Sequence, residues 1–266
     1  MSTLLDANRI TSLCRAASND LLIEVVSQTV STNTDLRQRL EQLDRPVLRV
    51  AEQQSAGRGR AGRVWRAAPG DSLCFSLAWP FARGLGRLTG LPLAVGVAIA
   101  AALRTHDYPV MLKWPNDLLL GGAKLGGVLV ETSSSRRDAQ APLWAVIGIG
   151  LNIHPNRERD DGLPHQVAAL GQRVDREALL AMLADALVEM LMIFDNQGLA
   201  PFIERWQQWD AYAGQAVTVT DQDTLLYEGV ARGIDAAGCL QLHTTNGVIA
   251  VAAGDVSLRV QSNHEA

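Results

Sequence analysis

The stretch VMLKWPNDLLLGGAKLGGVLVET (110–132) decides much of the fold, because two strand-like runs flank turn residues within it. The two runs are VMLKW (110–114) and KLGGVLVET (124–132). A third run, LWAVIGIGLNI (143–153), follows the polar segment TSSSRRDAQA, which is typical of a hairpin connection. Consecutive strands joined by short polar connections predict a mainly antiparallel sheet.

Helices and further strands are predicted on both sides of this stretch. Apolar periodicity indicates helices over 4–18, 31–44, 87–104, 174–196 and 200–209. Alternating or β-rich runs indicate strands over 21–27, 46–52 and 72–79. Hydroxyl and amide side chains at 31–33 are candidates to cap the second helix, and Asp175 to cap the fourth. The sequence therefore predicts an α+β fold in which helices pack on a mixed sheet.

The residue pattern of the sequence changes near Gly214. From Gln215 onward, about five short alternating runs are separated by Gly, Asp and Asn, which predicts a small β-barrel. We therefore expect two domains, a large one over 1–214 and a barrel over 215–266.

Composition excludes several classes of protein. The chain of 266 residues is 47% hydrophobic and carries a net charge of −4, so a basic nucleic-acid-binding footprint is absent. Its longest apolar run is interrupted by proline and glycine and is too short to span a membrane, and the first residues do not have the pattern of a signal peptide. The three widely spaced cysteines are expected to be reduced, buried thiols, which favours a cytoplasmic location.

The segment QQSAGRGRAGRVW (53–65) gathers three arginines among three glycines in this acidic chain. Glycine lets backbone N–H groups approach a ligand, and the arginine guanidinium matches phosphate or carboxylate. The segment is too rich in glycine to predict a stable helix or strand. We interpret it as a loop that clamps an anion.

Other candidates have two interpretations when each is taken alone. Lys113 ends an apolar run, so it is either a partly desolvated lysine aimed into a site or an ordinary surface lysine. Asn116 and Asp117 are also common turn formers after proline. Glycines 126 and 127 within a strand suggest a close approach of backbone or ligand. None of the five histidines forms a spaced set of metal ligands.

Together these motifs resemble the biotin protein ligases, also called biotin–[acetyl-CoA-carboxylase] ligases. The resemblance extends over about residues 20–262 and rests on motifs that occur in the family's order. The matched motifs are STN (31–33), QSAGRGRAGRVW (54–65), KWPND (113–117), KLGGVLVE (124–131), GIGLN (148–152), LAPFIERW (199–206) and GDVSLRV (254–260). It implies a catalytic domain like that of class II synthetases and lipoate ligases, followed by an SH3-like barrel.

The resemblance also implies a reaction in two steps. Biotin and Mg·ATP give biotinyl-5′-AMP and pyrophosphate, and a lysine of a biotin carboxyl carrier protein then takes the biotinyl group and releases AMP. The implied catalytic residues are Lys113, Arg60 and Arg58. The implied biotin-binding positions are Ser31, Thr32, Asn33, Gln54, Arg58, Gly59, Arg60 and Lys113. The implied nucleotide-binding positions are Arg60, Arg63, Trp65 and Asn152, and Asp117 and Lys124 are further candidates. No residue is assigned as a Mg²⁺ ligand.

Other functions and features stay open at this point. A lipoate–protein ligase shares the implied fold, an inactive relative would only bind biotin, and the GRGRAGR segment superficially resembles nucleic-acid-binding segments. About twenty residues precede the first predicted strand, too few for a DNA-binding module, so we expect no repressor function. A homodimer could form if the strand at 143–149 lay at a sheet edge. We expect the arginine loop to close over the adenylate and exclude water.

Overall fold

The structure is a computed structural model that describes residues 4–15, 20–65, 69–82, 88–133, 142–155, 167–171, 174–221, 224–254 and 256–260. The end of the first predicted helix (16–18), residue 87 and the hairpin connection at 134–141 lie outside the described residues. The described part is an α+β fold with a large mixed sheet and a small antiparallel sheet, as the sequence predicts.

The large sheet has seven strands, and one pair of them is parallel. In spatial order the strands are β1 (Leu22–Thr29), β2 (Val47–Gln54), β5 (Ser72–Phe81), β9 (Leu143–Asn152), β8 (Ala123–Ser133), β7 (Asp117–Leu120) and β6 (Met111–Lys113). β1 pairs with β2 in parallel, and every other neighbouring pair is antiparallel. The mainly antiparallel sheet is therefore confirmed.

The position of β9 contradicts the expectation that the strand at 143–149 could lie at a sheet edge, whereas the possible homodimer itself stays a prediction. The strand at 143–149 pairs with β5 on one side and with β8 on the other, so it lies in the middle of the sheet. Both rows of its backbone groups are already paired, so it cannot add a strand from a second copy. The sequence pattern could not show this, because strand order depends on contacts between distant residues.

The described residues contain five α-helices, and four of them are clearly shorter than predicted. The helices are α1 (Ala7–Leu13), α2 (Thr32–Gln38), α3 (Leu91–Arg104), α4 (Arg176–Gln197) and α5 (Ile203–Gln208). The Asp6 carboxylate caps α1, and the chain is already extended at Cys14, which ends the helix. Arg39 breaks the second predicted helix, because its non-helical backbone separates α2 from a 3-10 turn at Leu40–Gln42.

Two other helix starts follow from local chemistry. Gly90 has φ +81°, a conformation that glycine adopts without strain, and it precedes α3 together with a proline in the first turn. Asp175 caps α4 by accepting hydrogen bonds from Glu177 N and Ala178 N, as predicted. In the last predicted helix, a 3-10 turn at Ala200–Phe202 leads into α5.

Two short structures were missed by the sequence analysis. The strand β7 follows Asn116 directly, where only a turn was expected. The arginine loop is not free of regular structure either, because β3 (Gly57–Arg58) and β4 (Val64–Trp65) pair as a small hairpin. Its tip has positive φ at Ala61 and Gly62, a tight turn that a glycine favours.

The C-terminal part forms a five-stranded antiparallel sheet. Its spatial order is β13 (Gly247–Val251), β12 (Leu240–Thr244), β11 (Thr224–Ile234), β10 (Ala216–Asp221) and β14 (Val256–Val260). The expected number of strands is confirmed. The domain boundary near Gly214 stays a prediction, although the first strand of this sheet begins two residues after it.

The cysteine prediction was only partly right. All three cysteines are free thiols, but only Cys74 is buried, whereas Cys14 and Cys239 are partly exposed. Apolar neighbours in sequence do not fix burial when a residue lies at the end of an element, as Cys14 does. No helix among the described residues has the length and apolarity needed to cross a membrane.

Candidate active site

A cavity of about 840 Å³ lies between the large sheet and the barrel. The large sheet contributes residues from β2, β5, β6, β7, β8 and β9, and β14 contributes Val256 to Val260. All thirteen residues that the sequence analysis named as site candidates line it: Ser31, Thr32, Asn33, Gln54, Arg58, Gly59, Arg60, Arg63, Trp65, Lys113, Asp117, Lys124 and Asn152. Segments more than a hundred residues apart in sequence are therefore brought to one cavity.

One end of this cavity is an uncharged polar network at the N-terminus of α2. The Gln54 carbonyl Oε1 accepts hydrogen bonds from Thr32 N (2.8 Å) and Thr32 Oγ1 (3.2 Å). The Thr32 hydroxyl is 2.6 Å from that of Ser76, which in turn donates to Asn33 Oδ1 (2.5 Å). Ser31, Thr32, Asn33 and Ser76 are all buried. Side chains held in this way offer donors and acceptors without charge.

Glu131 anchors that network to two arginines. Asn33 Nδ2 donates to Glu131 Oε2 (2.8 Å), and Arg37 forms an ion pair with Oε1 of the same carboxylate (2.7 Å). Arg58 lies 3.5 Å from Oε1 as well and donates to Thr34 Oγ1 (3.1 Å). The guanidinium of Arg58 therefore lies where the arginine hairpin meets the uncharged network.

The other two arginines of the hairpin contact the barrel. Arg60 donates to the Gly254 carbonyl, and Arg63 donates to the Ser257 hydroxyl. The hairpin thus lies against the segment that enters β14, and each arginine side chain extends from it across the cavity wall. The sequence analysis did not foresee that the barrel helps to enclose the site.

Trp65 packs directly on the floor of the cavity at Gly150. A Cβ atom at Gly150 would lie 2.5 Å from Trp65 Cε2 and 2.6 Å from Cζ2, so the indole occupies the space that a side chain would need. The Trp65 Nε1 atom is buried and has no hydrogen-bond partner among the described residues. A planar ring supported in this way is suited to stacking against a ligand ring.

Lys113 lies at the end of β6 beside a carboxylate and a second lysine. Its Nζ is 3.9 Å from Asp117 Oδ2, while Lys124 Nζ donates to Asp117 Oδ1 (2.6 Å). Burial lowers the pKa of Lys113. Asp117 opposes this shift, and the cations of Lys124, Arg63 and Arg259 add to it. The interpretation of Lys113 as an ordinary surface lysine is therefore wrong, because its side chain is only 20% exposed.

Asn152 and Asn116 are tied to the backbone. The Asn152 amide donates to the carbonyls of Lys124 (3.2 Å) and Ala168 (3.0 Å), so both of its N–H groups hold chain segments together. Asn116 Nδ2 donates to Val128 O (2.7 Å), which fixes the turn between β6 and β7. These hydrogen bonds hold together the chain segments that border Lys113 and Lys124.

The charge of the lining is strongly one-sided. In the described part of the chain, Asp117 is the one acidic residue of the lining, and it faces six cations: Arg58, Arg60, Arg63, Lys113, Lys124 and Arg259. Cations gathered in a partly enclosed cavity stabilise anionic ligands far more than the same charges would in bulk water. The acidic chain therefore contains a local anion-binding site.

Several residues of this site were not assigned by the sequence analysis, among them Ser76, Glu131, Tyr212, Ser257 and Arg259. Glu131 was quoted as the last residue of a matched motif, and Ser76 stands in a strand with alternating small residues, so each had a weak signal. Tyr212 reaches the cavity from the linker, residues 209–215 between α5 and β10, and Arg259 reaches it from the barrel. No local pattern could show that, because it depends on how the two parts pack.

The described residues contain no cluster of three or more His, Cys, Asp or Glu side chains that could hold a metal ion. The lining offers the single carboxylate of Asp117, which already binds Lys124. This donor set does not fit a resident metal. A Mg²⁺ ion that arrives with a nucleotide is held mainly by phosphate and water, so it needs few protein ligands.

Two family models match the chain. Residues 11–152 match the biotin/lipoate A/B protein ligase family, and residues 212–259 match the biotin protein ligase C-terminal domain. The first match covers more than half of the chain and contains all thirteen candidate residues, with Asn152 at its end. The second match covers the linker tyrosine and the strands of the barrel.

Individual relatives agree with this assignment. The bifunctional ligase/repressor BirA of Salmonella typhimurium is 35% identical over 96% of this chain and 79% of its own length. The biotin–[acetyl-CoA-carboxylase] ligase of Mycobacterium tuberculosis is 32% identical over 92% of this chain and 91% of its own. The solved structure of a biotin protein ligase from Aquifex aeolicus in complex with biotin and ATP superposes with a TM-score of 0.78 at 26% identity, covering 90% of this chain and 99% of that one.

The cavity between the mixed sheet and the barrel suits anionic substrates, and the comparisons show that the protein is a ligase. The chain belongs to the biotin/lipoate A/B protein ligase family, on the biotin protein ligase side of that family.

Proposed function

We propose that the cavity activates biotin as biotinyl-5′-AMP and transfers the biotinyl group to a lysine of a carrier protein. One observation carries the proposal: a buried uncharged network and a cluster of six cations share one cavity. The first suits the ureido ring of biotin and the second suits the carboxylate and the phosphates. The activity agrees with the family and with relatives named as biotin–[acetyl-CoA-carboxylase] ligases.

In the first step, a biotin carboxylate oxygen attacks the α-phosphorus of Mg·ATP, and pyrophosphate leaves. Both reactants are anions that repel each other, so fixed positive charge at the reacting atoms lowers the barrier. We assign Lys113 to this position because its ammonium group is desolvated at the end of β6 and because the cations of Arg63 and Lys124 lie close enough to lower its pKa. Arg58 and Arg60 are assigned to the same linkage from the hairpin.

The biotin ring is assigned to the network of Ser31, Thr32, Asn33 and Gln54. A ureido group has two N–H donors and one carbonyl acceptor, and this network has hydroxyls and amides to meet both. Ser31, Thr32 and Asn33 are buried, and this matters because a polar group held in place loses little freedom on binding. Ser76 joins the assignment because it bridges Thr32 and Asn33. Gly59 is assigned to the backbone that borders the ring.

The nucleotide is assigned to the part of the cavity beside Trp65. The indole offers a face for the adenine, and Arg60 and Arg63 lie beside it on the same hairpin. Asn152 is assigned to the sugar end, where its amide fixes the wall through two carbonyls. Asp117 is assigned to stabilise the positive charge of Lys113 beneath the phosphates, and Lys124 to bind the same carboxylate.

In the second step, the ε-amine of the acceptor lysine attacks the acyl carbon, and AMP leaves. Before that attack the mixed anhydride must be kept from water. The hairpin supports such a role because its arginines reach across to Gly254 and Ser257. We propose that the same contacts hold the hairpin closed over the adenylate. The acetyl-CoA carboxylase carrier as acceptor and a cytoplasmic location are part of this proposal.

The test is incubation of the purified protein with ATP, labelled biotin and a biotin carrier domain. We expect biotin-dependent exchange of pyrophosphate into ATP without the carrier, and labelled carrier when it is present. Replacing the carrier's acceptor lysine with arginine is the matched control and should abolish labelling. Exchange that depends on lipoate, and not on biotin, would contradict the proposal.

Neither alternative function is favoured. A lipoate–protein ligase would not account for the match of residues 212–259 to the biotin protein ligase C-terminal domain. A nucleic-acid-binding module would need the GRGRAGR segment to be open to a polymer, whereas Arg60 and Arg63 are bound to the barrel. The intact set of cations also argues against an inactive relative.

A further inference from the structure

The linker that enters the barrel lies directly beside the strand that carries Lys113. Leu112 N donates to Trp209 O (2.7 Å), and Ala211 N donates to Leu112 O (2.8 Å). These two backbone hydrogen bonds form a parallel bridge between the linker and β6. Lys113 follows Leu112 on β6, and Tyr212 follows Ala211, the residue whose N–H closes the bridge on the linker. Their relative position is therefore set by the backbone.

The Tyr212 ring faces the ammonium group of Lys113. Lys113 Nζ lies 5.4 Å from the centre of the ring, a distance at which an aromatic face attracts a cation. Tyr212 N donates to Asp210 Oδ1 (3.0 Å), and Gln215 N donates to Tyr212 O (3.0 Å). The tyrosine is thus held from both sides, and its side chain is part of the cavity lining.

This aromatic face meets a specific electrostatic need. Lys113 is desolvated, and the cations of Lys124, Arg63 and Arg259 act on it from β8, the hairpin and β14. Asp117 is the opposing carboxylate, but it is shared because Lys124 binds it at 2.6 Å. A ring face can stabilise the ammonium without a hydrogen bond, so it leaves the N–H groups free to meet a ligand oxygen.

We infer that Tyr212 is a positioning residue, which holds the Lys113 ammonium protonated and aimed at the reacting carboxylate and phosphate. The inference rests on the proposed function, in which Lys113 stabilises the adenylation transition state. It gives the linker a role in catalysis, because the same residue joins the barrel to the strand that carries the lysine. The aromatic ring, and not the hydroxyl, is the part that acts.

The experiment compares Tyr212→Leu with Tyr212→Phe in biotin-dependent pyrophosphate exchange over pH 6 to 10. Tyr212→Leu is expected to lower kcat about tenfold, with a smaller change in KM for biotin, because the charge acts mainly in the transition state. It should also move the alkaline limb of the profile to lower pH by about one unit, since the ammonium loses a stabilising partner. Tyr212→Phe keeps the ring and should restore both.

Tyr227→Leu is the matched control, because this tyrosine lies on β11, is 44% exposed and is not among the residues that line the cavity. It should leave kcat and the alkaline limb unchanged. Tyr212→Leu with a wild-type alkaline limb and kcat within twofold would overturn the inference, and so would a Tyr212→Phe variant as impaired as Tyr212→Leu. Absence of biotin-dependent exchange in the wild type would instead overturn the proposed function, which is a separate result.

Discussion

Gly148 and Gly150 of β9 offer a test that distinguishes the assigned biotin subsite from the assigned nucleotide subsite. Residues two apart on a strand point to the same face, and here both point into the site. A Cβ at Gly148 would lie 2.9 Å from Asn33 Cγ and 3.0 Å from Asn33 Nδ2, and closer still to Oδ1. A Cβ at Gly150 would lie 2.5 Å from the Trp65 ring. The two alanine substitutions therefore press on two different assigned subsites.

The expected size of each effect follows from the steric overlap. Asn33 cannot simply rotate away from position 148, because Ser76 and Glu131 both hold its amide. Forcing a methyl group into a filled space costs about 1–3 kcal/mol, which corresponds to about a 5- to 150-fold loss of affinity. We expect Gly148→Ala to raise KM for biotin by such a factor and KM for ATP by less than threefold. Gly150→Ala should do the reverse.

Both constants are measured by pyrophosphate exchange with one substrate varied at a time. Gly96→Ala is the matched control, because its Cβ on α3 would meet Leu112 Cδ2 at an ordinary 3.4 Å. It should leave both constants unchanged. The assignment of the two subsites would be wrong if Gly148→Ala and Gly150→Ala both raised KM for the same substrate, or if neither variant raised any KM. This conclusion requires that the thermal unfolding of both variants matches that of the control.

Two further outcomes are expected. Arg60→Gly removes the contact with Gly254, so the hairpin should no longer hold the adenylate in the cavity. The variant should still make biotinyl-5′-AMP but release it. Gel filtration after a pulse of labelled biotin measures the adenylate that is retained, and retention equal to wild type would contradict the closing role of the hairpin. Burial raises the pKa of Asp210 to about 6, and its Oδ2 has no partner among the described residues. Since the folded state then favours the protonated form, this group's contribution to stability falls as pH rises from about 4 to 6. Asp210→Asn should therefore be more stable than wild type at pH 7.5 by up to about 3 kcal/mol, but not at pH 4. Urea unfolding at both pH values measures the free energy of unfolding of variant and wild type. A stability difference that is the same at pH 7.5 and pH 4 would refute this prediction.

The sequence predicted most of the large sheet because its strands are marked by apolar runs with turns between them. The runs containing Leu112, Val128 and Ile147 each became a strand close to the expected bounds. Helix ends were less predictable. Arg39 and Cys14 have no breaker residue beside them, but tertiary contacts lie at both helix ends: Asp185 accepts hydrogen bonds from Arg15 N, and Glu24 binds the Arg39 guanidinium.

The candidate site was predicted where the chemistry is local. A lysine at the end of an apolar run and arginines among glycines both indicate an anion site, and these residues line one cavity in the structure. The contributions of Tyr212, Ser257 and Arg259 could not be predicted, because they depend on the packing of the barrel against the hairpin. Strand order was also hidden, and this is why 143–149 was wrongly expected to form an edge.

The central claim is that the charge of Lys113 lowers the barrier to adenylation within this cavity. The most direct measurement is single-turnover formation of biotinyl-5′-AMP by Lys113→Ala, with Lys113→Arg to restore the charge in part. We predict a loss of about a hundredfold or more for the alanine variant, the scale of removing one charge-stabilising group. A rate within threefold of wild type, from a protein that is folded and binds biotin normally, would contradict the claim.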